Sequence, residues 1–126
     1  MRIFFMTPNP ENPSRNQVNA SHDLVRSYAS PGTQIDFGAP DDYPGAHVLV
    51  KIQGEGALPG LHHVISTTAF IRKVAWAQHQ GYDAVIQSNT FDPCVEEMRL
   101  AVSIPVIPTF RTTLHVATMI ADRLVG

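Results

Sequence analysis

A flavodoxin-like three-layer α/β/α sandwich on a mainly parallel sheet is the fold this sequence predicts, and three observations predict it. Short continuous apolar runs, RIFFM (2–6), DAVIQ (83–87) and IPVIP (104–108), read as strands buried on both faces. Segments of helical period follow them across short, punctuated loops. Strands alternating with helices imply right-handed crossovers, and hence a parallel sheet covered on both faces. At 126 residues the chain suits a single domain over 1–126.

In chain order, RIFFM is closed by Thr7-Pro8-Asn9-Pro10. Between about Ser14 and Ser30, Val18, Val25, Tyr28 and Ala29 recur at roughly helical spacing, and Ser30-Pro31-Gly32 stops the pattern. TQIDF (33–37) and AHVLVKI (46–52) read as strands around a turn-rich stretch. Gly54, Gly56, Pro59 and Gly60 mark a loop that takes in His62-His63, which are expected to be solvated. Ser66 or Thr67 then caps a helix through Gln80, stopped by Gly81, with Phe70 and Trp76 read as core or subunit-contact residues. After DAVIQ, Asp92 is read as the N-cap and Pro93 as the first residue of a helix carrying Glu96 and Glu97 in its first turn. The segment 112–124 places Leu114, Ala117, Ile120, Ala121 and Leu124 on one apolar stripe.

Composition removes several functional classes. A net charge of -2 without a Lys/Arg run gives no footprint for nucleic acid. No apolar stretch reaches the ~20 residues of a membrane helix, and MRIFFMTPNP lacks the apolar core of a signal peptide, so a cytoplasmic location is expected. The single Cys94 excludes an internal disulfide, and the six histidines show no zinc-site spacing, so no metal is expected.

In a parallel α/β sheet, ligands bind beyond the carboxyl ends of the strands. Three loops qualify: the one after RIFFM, Ser88-Asn89-Thr90 after DAVIQ, and Thr109 to His115 after IPVIP. All are rich in small hydrogen-bonding side chains, and two lead into helix N-termini whose free amides favour an anion. A small carboxylate is the ligand this pattern suggests. Arg111 is a candidate partner for it, and the hydroxyls of Thr112 and Thr113 are candidates for facing it. His115, one residue off the apolar stripe, is a candidate general acid or base.

TPNP after the first strand, GYDAVIQSNT with Asp-Pro opening a helix, and SIPVIP with TTLHVA resemble the N-terminal lobe of the aspartate/glutamate/hydantoin racemase superfamily. The resemblance covers nearly the whole chain and is most specific over 81–121. It implies one lobe of a two-lobe, cofactor-independent isomerase acting on a small amino acid, hydantoin or related carboxylate. Family members begin with an Asn-Pro-Asn-like loop, which Asn9 echoes. They carry a catalytic cysteine at a later strand tip, often followed by Asn-Thr, which puts Ser88 at the cysteine and Asn89 and Thr90 at the carboxylate binders. Anchoring on Asp-Pro instead puts Asn89 at the cysteine. Neither alignment supplies a thiol, and an unactivated serine needs an adjacent base to replace one. Members supply a second thiol from a second lobe, so this chain is expected to pair, as a homo-oligomer or with further sequence. The superfamily's maleate isomerases and arylmalonate decarboxylases show that its site tolerates a change of reaction. Loss of turnover leaves the alternative of a module for carboxylate binding or oligomerisation. Cys94 is a weaker candidate for reactivity, placed where helix amides would depress its pKa.

Overall fold

The structure, a computed structural model, describes residues 1–7, 15–41, 59–89 and 92–121. Asn9, Thr90 and the expected strand 46–52 lie outside the described residues. Four strands and four helices alternate: β1 (Arg2–Met6), α1 (Arg15–Ser27), β2 (Gln34–Gly38), α2 (Pro59–His79), β3 (Ala84–Gln87), α3 (Val95–Ala101), β4 (Val106–Pro108) and α4 (Thr109–Ile120). All pairings are parallel, in the order β2-β1-β3-β4. This is the expected parallel α/β fold.

The register assigns the faces. Phe4 lies opposite Asp36 and Val85, and Val85 opposite Val106, so these side chains share one face with Met6 and Gln87. That face carries the core. Phe4, Met6, Val85 and Val106 pack with Phe70, Val74 and Ala77 of α2 and with Val95 and Met98 of α3. Phe70 is 1% exposed, and Trp76 sits edge-on to Phe4 with ring centroids 5.4 Å apart. On the opposite face α1 covers β2, with His22 stacked on Phe37 at 3.8 Å and Phe37 against Phe5 at 5.1 Å. Gly38 ends β2 because space is short there: a Cβ would stand 3.0 Å from the Phe4 ring.

The stop of α2 is the one expected. Gly81 has φ +77°, Gly81 N–H donates to Gln78 O at 3.0 Å and Tyr82 N–H to Ala77 O at 3.2 Å, the paired bonds of a Schellman motif. The start of α2 differs. The helix begins at Pro59 rather than at Ser66 or Thr67, so His62-His63 belong to the helix and not to a loop. Pro59 suits a first helical position, where no backbone N–H is needed. Gln78 adds a tie across the core, its Oε1 accepting from Ser103 N–H at 2.6 Å and from Ile104 N–H at 3.3 Å, which aims the chain into β4.

Two further expectations are corrected. Asp92 does not cap the helix that follows it. Asp92 and Cys94 both hold left-handed backbone (φ 44° and 61°), and α3 starts only at Val95 after Cys94. The apolar stripe of α4 is not buried either: none of its residues is, and Leu114 and Ile120 are 41% and 82% exposed.

Candidate functional site

The order β2-β1-β3-β4 sends the chain one way from β1 to β2 and the other way from β3 to β4. Between the carboxyl ends of β1 and β3 the connections therefore diverge and leave a crevice, the place where doubly wound sheets bind ligands. Ladder bonds carry one residue past the strands. Thr7 N–H donates to Gly38 O at 2.8 Å, and Ser88 N–H donates to Met6 O at 2.9 Å. Thr7, Ser88 and Asn89, all half-buried, thus flank the break on rigid backbone. Thr7 Oγ1 also donates to Gly38 O at 3.3 Å, and Thr109 Oγ1 donates to Asn89 O at 3.4 Å, which ties the β4 tip to the β3 tip.

The N-terminus of α4 is not free for an anion. Asp92, 4% exposed, accepts from Phe110 N–H at 3.0 Å through Oδ1 and from Arg111 N–H at 2.6 Å through Oδ2. An internal carboxylate occupies the two amides expected to attract one from solution. The sequence carried a signal for this arrangement. Pro108 stands at the N-cap of α4 and offers no side-chain acceptor, so that helix needs one from elsewhere. The left-handed turn at Asp92 reaches across to provide it.

Arg111 is likewise committed. Its Nη1 donates to Glu96 Oε1 at 2.5 Å, bridging α4 to α3, and Arg99 approaches the same oxygen at 3.6 Å. The bond from Arg111 holds the Glu96 carboxyl below its ordinary pKa, its charge and that of Arg99 adding to the effect. Thr112 and Thr113 are exposed in the first turns of α4. His115 is exposed too, about 9 Å of helix rise beyond Thr109.

Cys94 is buried, with Sγ 2.8 Å from Thr67 Oγ1. Burial raises its thiol pKa, the Thr67 bond opposes that rise and the Glu97 charge adds to it. The expected depression is corrected: Cys94 occupies the cap position rather than the first turn, and desolvation outweighs any help from helix amides. Beside it, Gln87 was not singled out from sequence. It is fully buried at the end of β3, with Nε2 donating to Pro93 O at 2.7 Å. No described group pairs with its Oε1.

Among the described residues, no cluster of three or more His, Cys, Asp and Glu is placed to hold a metal, and no helix is long and apolar enough to cross a membrane. No family model matches the chain, and no curated protein matches it. Among solved structures, allantoin racemase from Klebsiella pneumoniae is similar, with a TM-score of 0.68 at 23% identity over 94% of this chain and 43% of that one. The fold is therefore racemase-like. The chain spans less than half the length of that neighbour.

Proposed function

We propose that this chain is a racemase- or isomerase-like lobe that holds a small amino acid, hydantoin or related carboxylate in the crevice between β1 and β3. Ser88 or Asn89 occupies the place where racemases of the resembled superfamily keep a thiol. The observation that carries this reading is the break in strand order, with Thr7, Ser88 and Asn89 presented on either side of it. The racemase-like fold and the name of the similar structure, an allantoin racemase, support the same class of ligand. Asn9 and Thr90 belong to this proposal by sequence alone. Arg111, Thr112, Thr113 and His115 enter as a second ring on α4, and Arg111 reaches a ligand only by leaving Glu96.

Chemically, the described groups suit orientation of an acid more than abstraction of its Cα proton. A serine hydroxyl becomes a base only beside a proton acceptor, and the one thiol is buried with a raised pKa. That observation favours the second reading, binding without turnover. A complementary lobe, from a second copy or from further sequence, is part of the proposal. Exposed Phe110, Val116, Met119 and Ile120 on α4 are the apolar surface it would cover.

Proton NMR in D2O tests the assignment. Cα-proton exchange of a panel of amino acids, hydantoins and 2-substituted acids is followed with the parent, Ser88→Ala and Ser88→Cys. Exchange by the parent that is lost in Ser88→Ala establishes isomerase chemistry at this crevice. Exchange only with Ser88→Cys establishes an intact crevice without its base. Silence from both, together with no ligand-induced shifts at Thr7, Ser88 or Asn89, refutes the reading.

A further inference from the structure

Gln87 is the last residue of β3, opposite Met6 of β1 and Pro108 of β4, so it sits at the carboxyl edge of the sheet directly below Ser88. Its side chain shares the core face with Val85 and is 0% exposed. One end of the amide is spoken for. Pro93 O is an acceptor and takes its proton from Nε2 at 2.7 Å. A carbonyl oxygen cannot donate, so the opposite amide orientation would set two acceptors against each other, and Oε1 is fixed as the other end. That oxygen is buried without a described partner. A buried acceptor left unmade costs about 1–3 kcal/mol, and such groups persist where something outside the chain completes them.

We propose that Gln87 Oε1 is a specificity-determining acceptor for an N–H of the ligand, so that the crevice prefers small acids or cyclic imides bearing an amide- or urea-type N–H over carboxylates without one. This rests on the proposed binding site between β1 and β3. Two features make the residue suited to the role. The Pro93 bond locks the amide, so no rotamer entropy is lost when a ligand docks. The oxygen is also shielded from bulk water, so an analogue that lacks the N–H leaves it unpaired, and discrimination of that kind is strong.

The test is calorimetric titration of the parent and Gln87→Met with three probes: hydantoin-5-acetic acid, its N-methylated analogue and succinate. The parent is expected to bind the N–H form at least about 10-fold more tightly than the methylated one, and Gln87→Met to erase that difference while leaving succinate unchanged. In the parent, the 13C resonance of the Gln87 side-chain carbonyl should move with the N–H ligand and not with the methylated one, a readout that survives even if the variant fails to fold. Equal affinities in the parent, or a preference that persists in Gln87→Met, would overturn the inference while leaving carboxylate binding intact. A Gln87 carbonyl unmoved by bound N–H ligand would assign the oxygen to an internal water and overturn it as well. No binding of any probe would instead remove the underlying site.

Discussion

Replacing Asp92 tests how the candidate site is held together, because its carboxylate joins two elements through two backbone donors. Phe110 and Arg111 amides bond it at 3.0 and 2.6 Å, and Asp92 is 4% exposed. Hydrogen bonds to a charged group are worth about 1.5–3 kcal/mol each, and loss of a capping side chain costs about 0.5–2 kcal/mol. Water replaces part of what is lost at a helix end, so Asp92→Ala should destabilise the fold by about 3 kcal/mol. The backbone term separates the variants. With φ at 44°, alanine is strained where glycine is not, so Asp92→Gly should be about 1 kcal/mol milder than Asp92→Ala. Asp92→Asn keeps one acceptor and tolerates left-handed backbone, so it should cost about 1 kcal/mol. At about 2.1 cal/mol/K per residue, 126 residues have an unfolding entropy of about 0.26 kcal/mol/K, so the alanine variant should lose about 11 °C in Tm. Calorimetry gives the Tm, and hydrogen exchange should show faster exchange at Phe110 and Arg111 in particular. An alanine variant within about 2 °C of the parent, with both amides still protected, would refute the account of Asp92 as the cap of α4.

Other outcomes follow from the packing and the charges. Gly38→Ala brings a Cβ to 3.0 Å from the Phe4 ring and should cost about 1–3 kcal/mol in chemical denaturation; a neutral result would mean that the ring moves freely. Cys94, buried and with its pKa raised, should resist a thiol reagent at pH 8 in the folded protein and react at once in denaturant; fast native labelling would contradict its burial. Glu96 has a folded pKa below its unfolded one, through Arg111. Its contribution is therefore present above the unfolded carboxylate pKa and lost as pH falls through the folded value. Glu96→Gln should accordingly flatten the acid limb of the stability profile, and an unchanged limb would count against the bridge. Asp36, lowered first by the Gln34 bond, adds to the same limb with the same sign.

What could be read locally was read correctly. The runs RIFFM and DAVIQ specify buried strands because both of their faces are apolar, and Gly81 marks a helix end because its left-handed backbone suits glycine. The misreadings concern elements that meet only in three dimensions. Asp92 was paired with its nearest helix, but it serves one that starts 17 residues later. Pro59 and Gly60 resemble a loop until the rest of α2 supports a helix through them. The stripe on α4 specifies an apolar face, but periodicity does not say what covers it. For the site, the strand tips could be placed because topology alone locates a crevice. The role of His115 was not legible, since its distance from Ser88 depends on how α4 lies against the β3 tip. Gln87 was passed over because a glutamine ending an apolar strand reads as its polar terminus, and only burial shows that one end of its amide lacks a partner.

The central claim is that the crevice between β1 and β3 is the ligand site. Titration of the 15N-labelled protein with a small carboxylate panel, followed through backbone amide shifts, tests it most directly. The account predicts saturable shifts centred on Thr7, Ser88 and Asn89, reduced in Ser88→Ala. Shifts centred instead on the pocket formed by Asp41, Ala69, Arg72, Lys73 and Trp76, or no shifts from any member of the panel, would contradict it.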